Sequence, residues 1–496
     1  MSSSNRDLLQ PRRPRGFVDS PANRVLARTR MISVIRRVYE LYGFSPLETP
    51  AVEYLDALGK YLPSEDAPAG GVLAFRGDGK EWLALRYDLT APLARFYSEH
   101  IESRKPIIKP FRRYQVGPVW RNEKPEEARL REFYQFDIDT VGTSSMAADA
   151  EVCCILADVM KALFNEFNVT RGRYVVRVNN RKALTGVLKN AGVPTEGETF
   201  LAVLRHIDKH ERLGIEGVSD LLREGRRDES GAFIKGAQLN EHQVESIVKL
   251  LLLKSHTRSE MCDKLFELVR GSDAGEEGVK ELREIDEFLG AAGVSEQTVI
   301  FDPTVVRGLT YYTGPVFEVT LFIKNEGGQE VKFGIVAGGG RYDDLVKRFL
   351  GEEEPATGAS IGVDRLLIGL KNIAESPLPD TTPPVIVIAT DEKYKLEYQK
   401  ITTKLRQDGI PAEMYLGKER GIGAQLKYAN DRGSIIAIIA GSEEFEAGNV
   451  KIKNLILGRE RSKDIALREE WIKDQSAQVV VKRDDLVKEV RRILQR

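Results

Sequence analysis

The sequence predicts an α+β chain: an antiparallel-sheet core, interrupted by a helical insertion and followed by an α/β domain. Three observations predict it. Residues 111–142 read as two strands joined by a loop, residues of roughly 182–298 turn Leu/Glu/Lys-rich at helical spacing, and Pro377, Pro379, Pro383 and Pro384 crowd together before a regular alternation of strand and helix. The chain has 496 residues, over three times the length of a typical domain of ~150, so several domains are expected. The divisions that follow are a flexible tail 1–14, a first part of the core 15–181, the insertion 182–298, a second part of the core 299–376, a linker 377–384 and a C-terminal domain 385–496.

Along the chain, apolar residues from Val25 to Leu41 recur at helical spacing and Gly43 stops the pattern, which predicts an amphipathic helix over 23–42. Short strand-like segments follow at 44–53, 72–76 and 82–86. Asp88-Leu-Thr90 then opens a helix with an acidic or hydroxyl residue at the cap. Val116–Arg121 and Glu132–Thr140 form the hairpin, a helix covers 147–167, and a strand covers 174–178. After the insertion, strands are expected at 299–302, 316–322 and 331–334, then the glycine run Gly338-Gly-Gly340 and a helix after Ala359. The last domain reads strand 385–389, helix 394–407, strand 412–416, helix 424–432, strands 435–440 and 450–456, and helix 486–494.

Composition excludes several classes. Lys and Arg number 74 against 75 Asp and Glu, a net charge of −1 that leaves nucleic-acid binding to local patches rather than to a global field. Three cysteines, Cys153, Cys154 and Cys262, offer neither a disulfide framework nor a zinc set. No run approaches the ~20 apolar residues of a spanning helix, and the tail lacks an apolar signal core, so no membrane is expected and the chain is read as cytoplasmic. There is no G-x-x-x-x-G-K-[ST] loop and no G-x-G-x-x-G after a strand, so a bound nucleotide must be held by other means.

Arginine is the alternative, because its planar fork pairs bidentately with phosphate oxygens and stays charged. Arg121 lies at a strand end beside an aromatic strand (Phe133, Tyr134), Arg307 lies in Val306-Arg-Gly-Leu-Thr-Tyr-Tyr312, and Arg365 opens an apolar helix. Each alone reads as a surface or ion-paired arginine; together they suggest a phosphate clamp. Likewise Asp88 and Thr90 alone read as a helix cap, the glycines as a tight turn, and Tyr311 and Tyr312 as core aromatics. His206 and His210 stand four apart on an expected helix, with no third ligand in sight, and read as a solvated helix face rather than a metal site.

These residues carry a family resemblance. Phe111 to Gly142, with Trp120-Arg-Asn-Glu123 and Arg131-Glu-Phe-Tyr-Gln-Phe-Asp-Ile-Asp139, resembles motif 2 of the class II aminoacyl-tRNA synthetases; Gly358-Ala-Ser-Ile-Gly-Val-Asp-Arg365 resembles motif 3, and Tyr42 to Pro50 resembles motif 1. Arg307-Gly-Leu-Thr-Tyr-Tyr312 and Ala337-Gly-Gly-Gly-Arg-Tyr-Asp-Asp344 are similar to the two signatures of histidyl-tRNA synthetases. The resemblance runs from about Arg15 to the C-terminus. It implies activation of L-histidine with ATP and acylation of tRNA(His) by a homodimer joined through motif 1, with Mg²⁺ accompanying the pyrophosphate and no metal held by the protein.

It also implies roles. Arg121 and Arg307 are the catalytic cations at the α-phosphate; Glu123 and Phe133 hold adenine, and Arg365 holds the triphosphate tail. Asp88, Thr90 and Gln135 receive the α-ammonium, while Asp139, Tyr311, Tyr312 and Tyr342, with Arg307, line the histidine pocket. Residues 385–496 resemble the anticodon-binding domain of this subgroup, and 381–496 carry 22 Lys and Arg against 18 Asp and Glu. Two positions depart from the family pattern. Thr310 stands where an aspartate is usual, and the hairpin loop 124–129 has two adjacent acids, which bears on how the extra 5′ guanosine of tRNA(His) is read. The rival is a non-catalytic, synthetase-like regulatory subunit of ATP phosphoribosyltransferase. It needs neither an ATP clamp nor an anticodon reader, so Arg121, Arg307, Arg365 and the C-terminal domain argue against it.

Overall fold

In the computed structural model, Ala27, Met31, Val34, Ile35, Val38 and Tyr39 form one buried stripe along the first helix, α1 (Ala22–Leu41), as their spacing of three and four requires. The model describes residues 9–58, 71–101, 103, 106–122, 124, 130–228, 231–306, 312–325, 327–373, 382–419, 421–457 and 477–495. The expected strand 44–53 is two short strands, β1 (Ser45–Pro46) and β2 (Val52–Tyr54), because Pro46 and Pro50 cannot donate to a continuous ladder. β2, β3 (Ala74–Arg76) and β4 (Trp82–Leu85) make a separate three-stranded sheet, ordered β2-β4-β3. Asp88 then accepts the backbone N–H groups of Thr90 and Ala91 and so starts α2 (Thr90–His100).

β5 (Phe111–Trp120) and β6 (Glu132–Val141) pair antiparallel over their whole length, Phe111 opposite Val141 and Trp120 opposite Glu132. α3 (Met146–Glu166), capped by Ser145, follows and leads to β7 (Gly172–Asn180). The chain returns to this sheet through β10 (Val299–Phe301), β11 (Pro315–Lys324), β12 (Glu330–Arg341) and, after the short α10 (Lys347–Leu350), β13 (Ala356–Gly362). The order is β1-β5-β6-β13-β12-β11-β7-β10; the six central strands are antiparallel throughout, and only β1 and β10 at the edges are parallel. α1, α3 and α11 (Val363–Lys371) bury their apolar faces against one side of this sheet.

Between β7 and β10 lie α4 (Arg181–Asn190), α5 (Gly197–Ile207), α6 (His210–Leu222), a hairpin of β8 (Gly225–Arg227) and β9 (Phe233–Lys235), α7 (Glu241–Leu251), α8 (Arg258–Val269) and α9 (Asp273–Ala291). Their apolar residues, such as Leu184, Val244, Leu265 and Ile285, belong to the same hydrophobic core as the sheet and α3. Residues 1–379 accordingly cluster as one unit and 380–496 as another.

The second unit has β14 (Val385–Val387), α12 (Lys395–Gln407), β15 (Ala412–Met414), α13 (Ile422–Asp431), β16 (Ile436–Ile439), α14 (Ser442–Glu446), β17 (Asn449–Asn454), β18 (Gln478–Lys482) and α15 (Leu486–Leu494). Its sheet runs β15-β14-β16-β17-β18, parallel across the first three strands and antiparallel beyond. The fully buried Gln425 exchanges hydrogen bonds with both backbone groups of Ala389 and so ties α13 to the end of β14. β18 and α14 are absent from the sequence reading. β18 is an edge strand whose Val479 and Val480 stay exposed, so it lacks the in-out alternation that marks a half-buried strand.

Candidate active site

Alternation along β6 sends Phe136 and Ile138 into the apolar core and Gln135, Asp137 and Asp139 to the other face. Register then sets their neighbours. Asp139 lies opposite Arg113 of β5 and Gly358 of β13, Asp137 lies opposite Gln115 and Ser360, and Gly340 and Gly338 of β12 continue the same two rows. Glycines along these rows leave the floor open: a Cβ on Gly358 would lie 2.4 Å from the Asp139 carboxylate, and one on Gly340 would lie 2.7 Å from the ring of Tyr312. A narrow cavity of about 50 Å³ opens here, and it gathers Asp88, Thr90, Arg121, Gln135, Asp139, Tyr312 and Tyr342 from five separate stretches of chain.

The electrostatics of this floor are set by burial. Arg113 is 0% exposed and Asp139 3%; the guanidinium reaches the carboxylate at 2.7 Å and the Leu89 carbonyl at 2.9 Å. The Tyr342 hydroxyl donates to the other Asp139 oxygen, and both burial and that carboxylate push its acidity well down, raising its pKa far above the usual tyrosine value. Gln135 donates to the Ser360 hydroxyl at 2.6 Å, while its Oε1 has no hydrogen-bond partner among the described residues. Asp88 caps α2 and also lines the cavity. Arg113, Asp137 and Ser360 are the residues that the sequence reading missed. The signal was the run of three polar residues at period two, Gln135, Asp137 and Asp139, on a strand whose alternate residues are aromatic or aliphatic.

Arg121 follows β5 and is held over aromatic rings, its guanidinium carbon 4.4 Å from the Tyr87 ring centre and 5.2 Å from that of Phe133, with Nε 3.4 Å from the Tyr87 carbonyl. Phe133 and Arg365 do not line the small cavity. Their neighbours join beside it: Asp364 at the start of α11 accepts the backbone N–H of Tyr134 at 2.8 Å, which ties the strand of Phe133 to the helix of Arg365. Glu123, Arg307, Thr310 and Tyr311, and the loop 125–129, lie outside the described residues. Gly334 has φ +125, and a Cβ there would lie 2.7 Å from Arg365 Nη2. Gly334→Ala is therefore expected to raise the ATP requirement about tenfold and leave that for histidine within about twofold, read from KM with each substrate varied in turn; equal shifts in both would place Arg365 away from the nucleotide.

A larger cavity, about 640 Å³, lies between the insertion helices and β10. Its charged lining is largely paired within itself: Arg177 bonds Asp302 at 2.8 Å and also Glu211, Lys332 pairs with Glu211, and Arg258 pairs with Glu296 at 3.5 Å. The two histidines expected on one solvated helix face are not so arranged. Asp208 and Lys209 separate α5 from α6, and His206 is buried, its pKa lowered to about 4 by burial and then by Lys209 and Arg205.

Six antiparallel strands, with an arginine after the hairpin strand and another on the helix that follows the last strand, and with no phosphate loop, define the catalytic unit of a class II aminoacyl-tRNA synthetase. The model of the histidyl-tRNA synthetase family matches residues 16–366, and that of the anticodon binding domain matches residues 384–493. The chain belongs to the histidyl-tRNA synthetase family. Similar relatives are the histidine–tRNA ligase of Dinoroseobacter shibae, 50% identical over 97% of this chain and 97% of that one, and that of Brucella abortus, 48% identical over 98% and 97%. Among solved structures, the histidyl-tRNA synthetase of Nostoc sp. PCC 7120 matches with a TM-score of 0.70 and 28% identity, covering 98% of this chain and 100% of that one. A protein from Bacillus halodurans described as an ATP phosphoribosyltransferase regulatory subunit/histidyl-tRNA synthetase shares the fold, with a TM-score of 0.64 at 21% identity, over 85% of this chain and 97% of that one.

Proposed function

We propose that the chain is a histidine–tRNA ligase: ATP and L-histidine give histidyl-adenylate and pyrophosphate, and the histidyl group then passes to the 3′ end of tRNA(His). Near 50% identity over almost the whole length to proteins of that name is the observation that carries it. The regulatory-subunit reading has only the shared fold behind it, since the Bacillus halodurans protein is 21% identical. The anticodon-binding match over residues 384–493 favours the ligase, because a regulatory subunit has no anticodon to read.

In this reading the histidine carboxylate attacks the α-phosphorus in line and pyrophosphate departs, so charge accumulates on the α-phosphate oxygens. Arg121, held in place by Tyr87 before any substrate arrives, offers that charge a preformed partner. Arg307 takes the opposite side of the same phosphate, Arg365 takes the triphosphate tail, Phe133 stacks on adenine and Glu123 accepts from its amine. Mg²⁺ enters with ATP on the phosphate oxygens. The imidazole ring lies over the glycine floor against Asp139, Tyr342, Tyr311 and Tyr312, and the α-ammonium meets Asp88, Thr90 and Gln135. The assembly is a cytoplasmic homodimer joined at motif 1, with residues 182–298 as an insertion and 385–496 reading the anticodon. No helix among the described residues is long and apolar enough to cross a membrane.

Exchange of labelled pyrophosphate into ATP, without tRNA and across a panel of amino acids, tests the reading. Histidine alone is expected to support exchange, because a pocket built on hydrogen bonds to the ring rejects analogues without them by a factor of roughly 10⁴. No exchange, with histidine still bound, would favour the regulatory subunit.

A further inference from the structure

Asp137 is used by none of the roles above, yet its carboxylate is only 1% exposed, lines the cavity on the same face of β6 as Gln135 and Asp139, and leaves Oδ1 without a hydrogen-bond partner among the described residues. The groups facing it come from every neighbouring element. They are Arg113 and Gln115 of β5, Asp139 of β6, Ser360 of β13, Asp88 ahead of α2, Arg86 after β4 and Tyr342 after β12, with Arg121 lining the same cavity and the Tyr39 hydroxyl of α1 within electrostatic reach from the opposite side of the sheet. Arg113 is the guanidinium bonded to a carboxylate on this floor. Arg86 is within electrostatic reach but directs its N–H groups to the carbonyls of Pro118 and Thr49.

Two buried carboxylates, Asp137 and Asp139, with the half-buried Asp88 beside them, thus face Arg113, the single guanidinium among the described residues that ion-pairs with either buried one, and such a set does not ionise completely. Asp139 pairs with Arg113 and accepts from the Tyr342 hydroxyl, and Asp88 accepts two backbone N–H groups, whereas Asp137 receives only the Ser360 hydroxyl. Burial pushes the carboxyls of both Asp139 and Asp137 up, and that of Asp137, the less well partnered of the two, rises to about 7, first by burial and further by Asp139 and Asp88, against the opposing pull of Arg113 and Ser360. Asp137 has no ion-pair partner of its own among the described residues and its Oδ1 is unpartnered, and an amino-acid substrate brings a cation.

We propose that Asp137 is a further substrate-binding carboxylate: it takes the α-ammonium of the amino acid and releases its own proton to solvent as the ion pair forms. No other bond is made or broken. This inference rests on the amino-acid-activating reading of the same site. Because the ionised form binds the cation, histidine affinity rises as pH rises through about 7 and levels off above it.

Calorimetry of L-histidine binding to the full chain, without ATP, in two buffers of unlike ionisation enthalpy near pH 7 counts the proton. The wild-type chain is expected to release roughly half a proton more per histidine than Asp137→Asn, and the variant to bind about 10- to 100-fold more weakly with a flatter pH profile. The 2-hydroxy analogue of histidine, which keeps the ring and lacks the ammonium, should release correspondingly less from the wild-type chain, and this comparison needs no variant to fold. Equal proton release by wild type and variant, or by histidine and its hydroxy analogue, overturns the proposal. Failure of the wild-type chain to bind histidine at all would overturn the ligase reading and this proposal together.

Discussion

Arg113→Leu is expected to lower the stability of the 1–379 unit by about 3–5 kcal/mol, because it leaves Asp139 buried beside Asp137 with no cation. Urea unfolding of the full chain, followed by a probe in this unit, measures it. The size of the effect comes from desolvation. A guanidinium and a carboxylate 2.7 Å apart at 0% and 3% exposure have given up water entirely, so removing one partner strands the other. Arg113→Leu combined with Asp139→Leu should regain most of the loss, since no charge is then left unpaired, although histidine binding would be gone. A loss under about 1 kcal/mol in the single variant would mean that water reaches the pair.

Arg121→Ala should reduce the rate of histidyl-adenylate formation by a factor of about 10²–10³, with a smaller effect on the ATP requirement. The side chain is placed in advance by the Tyr87 carbonyl and by two aromatic rings, so it answers the charge of the transition state without reorganising. Arg121→Lys should not restore the rate, because an ammonium cannot present the planar fork to phosphate oxygens. Single-turnover measurement with saturating substrates separates the chemical step from binding; a rate within threefold of wild type would remove Arg121 from the catalytic set.

Much of the fold was legible. The stripe from Ala27 to Tyr39, the hairpin between Val116 and Thr140, the helical run after Arg181 and the strand–helix alternation after Pro384 each follow a single period over many residues, and each stands in the structure with ends displaced by a few residues. Reading failed where a local rule met its limit. Prolines split 44–53, two polar residues divided an expected helix between His206 and His210, and an edge strand at 478–482 carried no alternation to find. Of the site, the cap Asp88-Leu-Thr90 and the strand-end Arg121 could be marked because each is local in sequence, and both line the cavity.

By itself the sequence determined the family, through motifs whose order along the chain is the information. It determined the absence of a phosphate loop and the presence of a second domain. Tertiary structure alone decided what Arg113, Asp137 and Asp139 are. Charged residues on a strand read as a wet face, but here β5, β6, β13 and β12 bring residues 113, 137–139, 358–360 and 338–340 into two adjoining rows and close them off from water. Whether a carboxylate there is an anion, an ion-pair partner or a proton store depends on desolvation and on neighbours more than 200 residues away, and neither is a property of the local sequence.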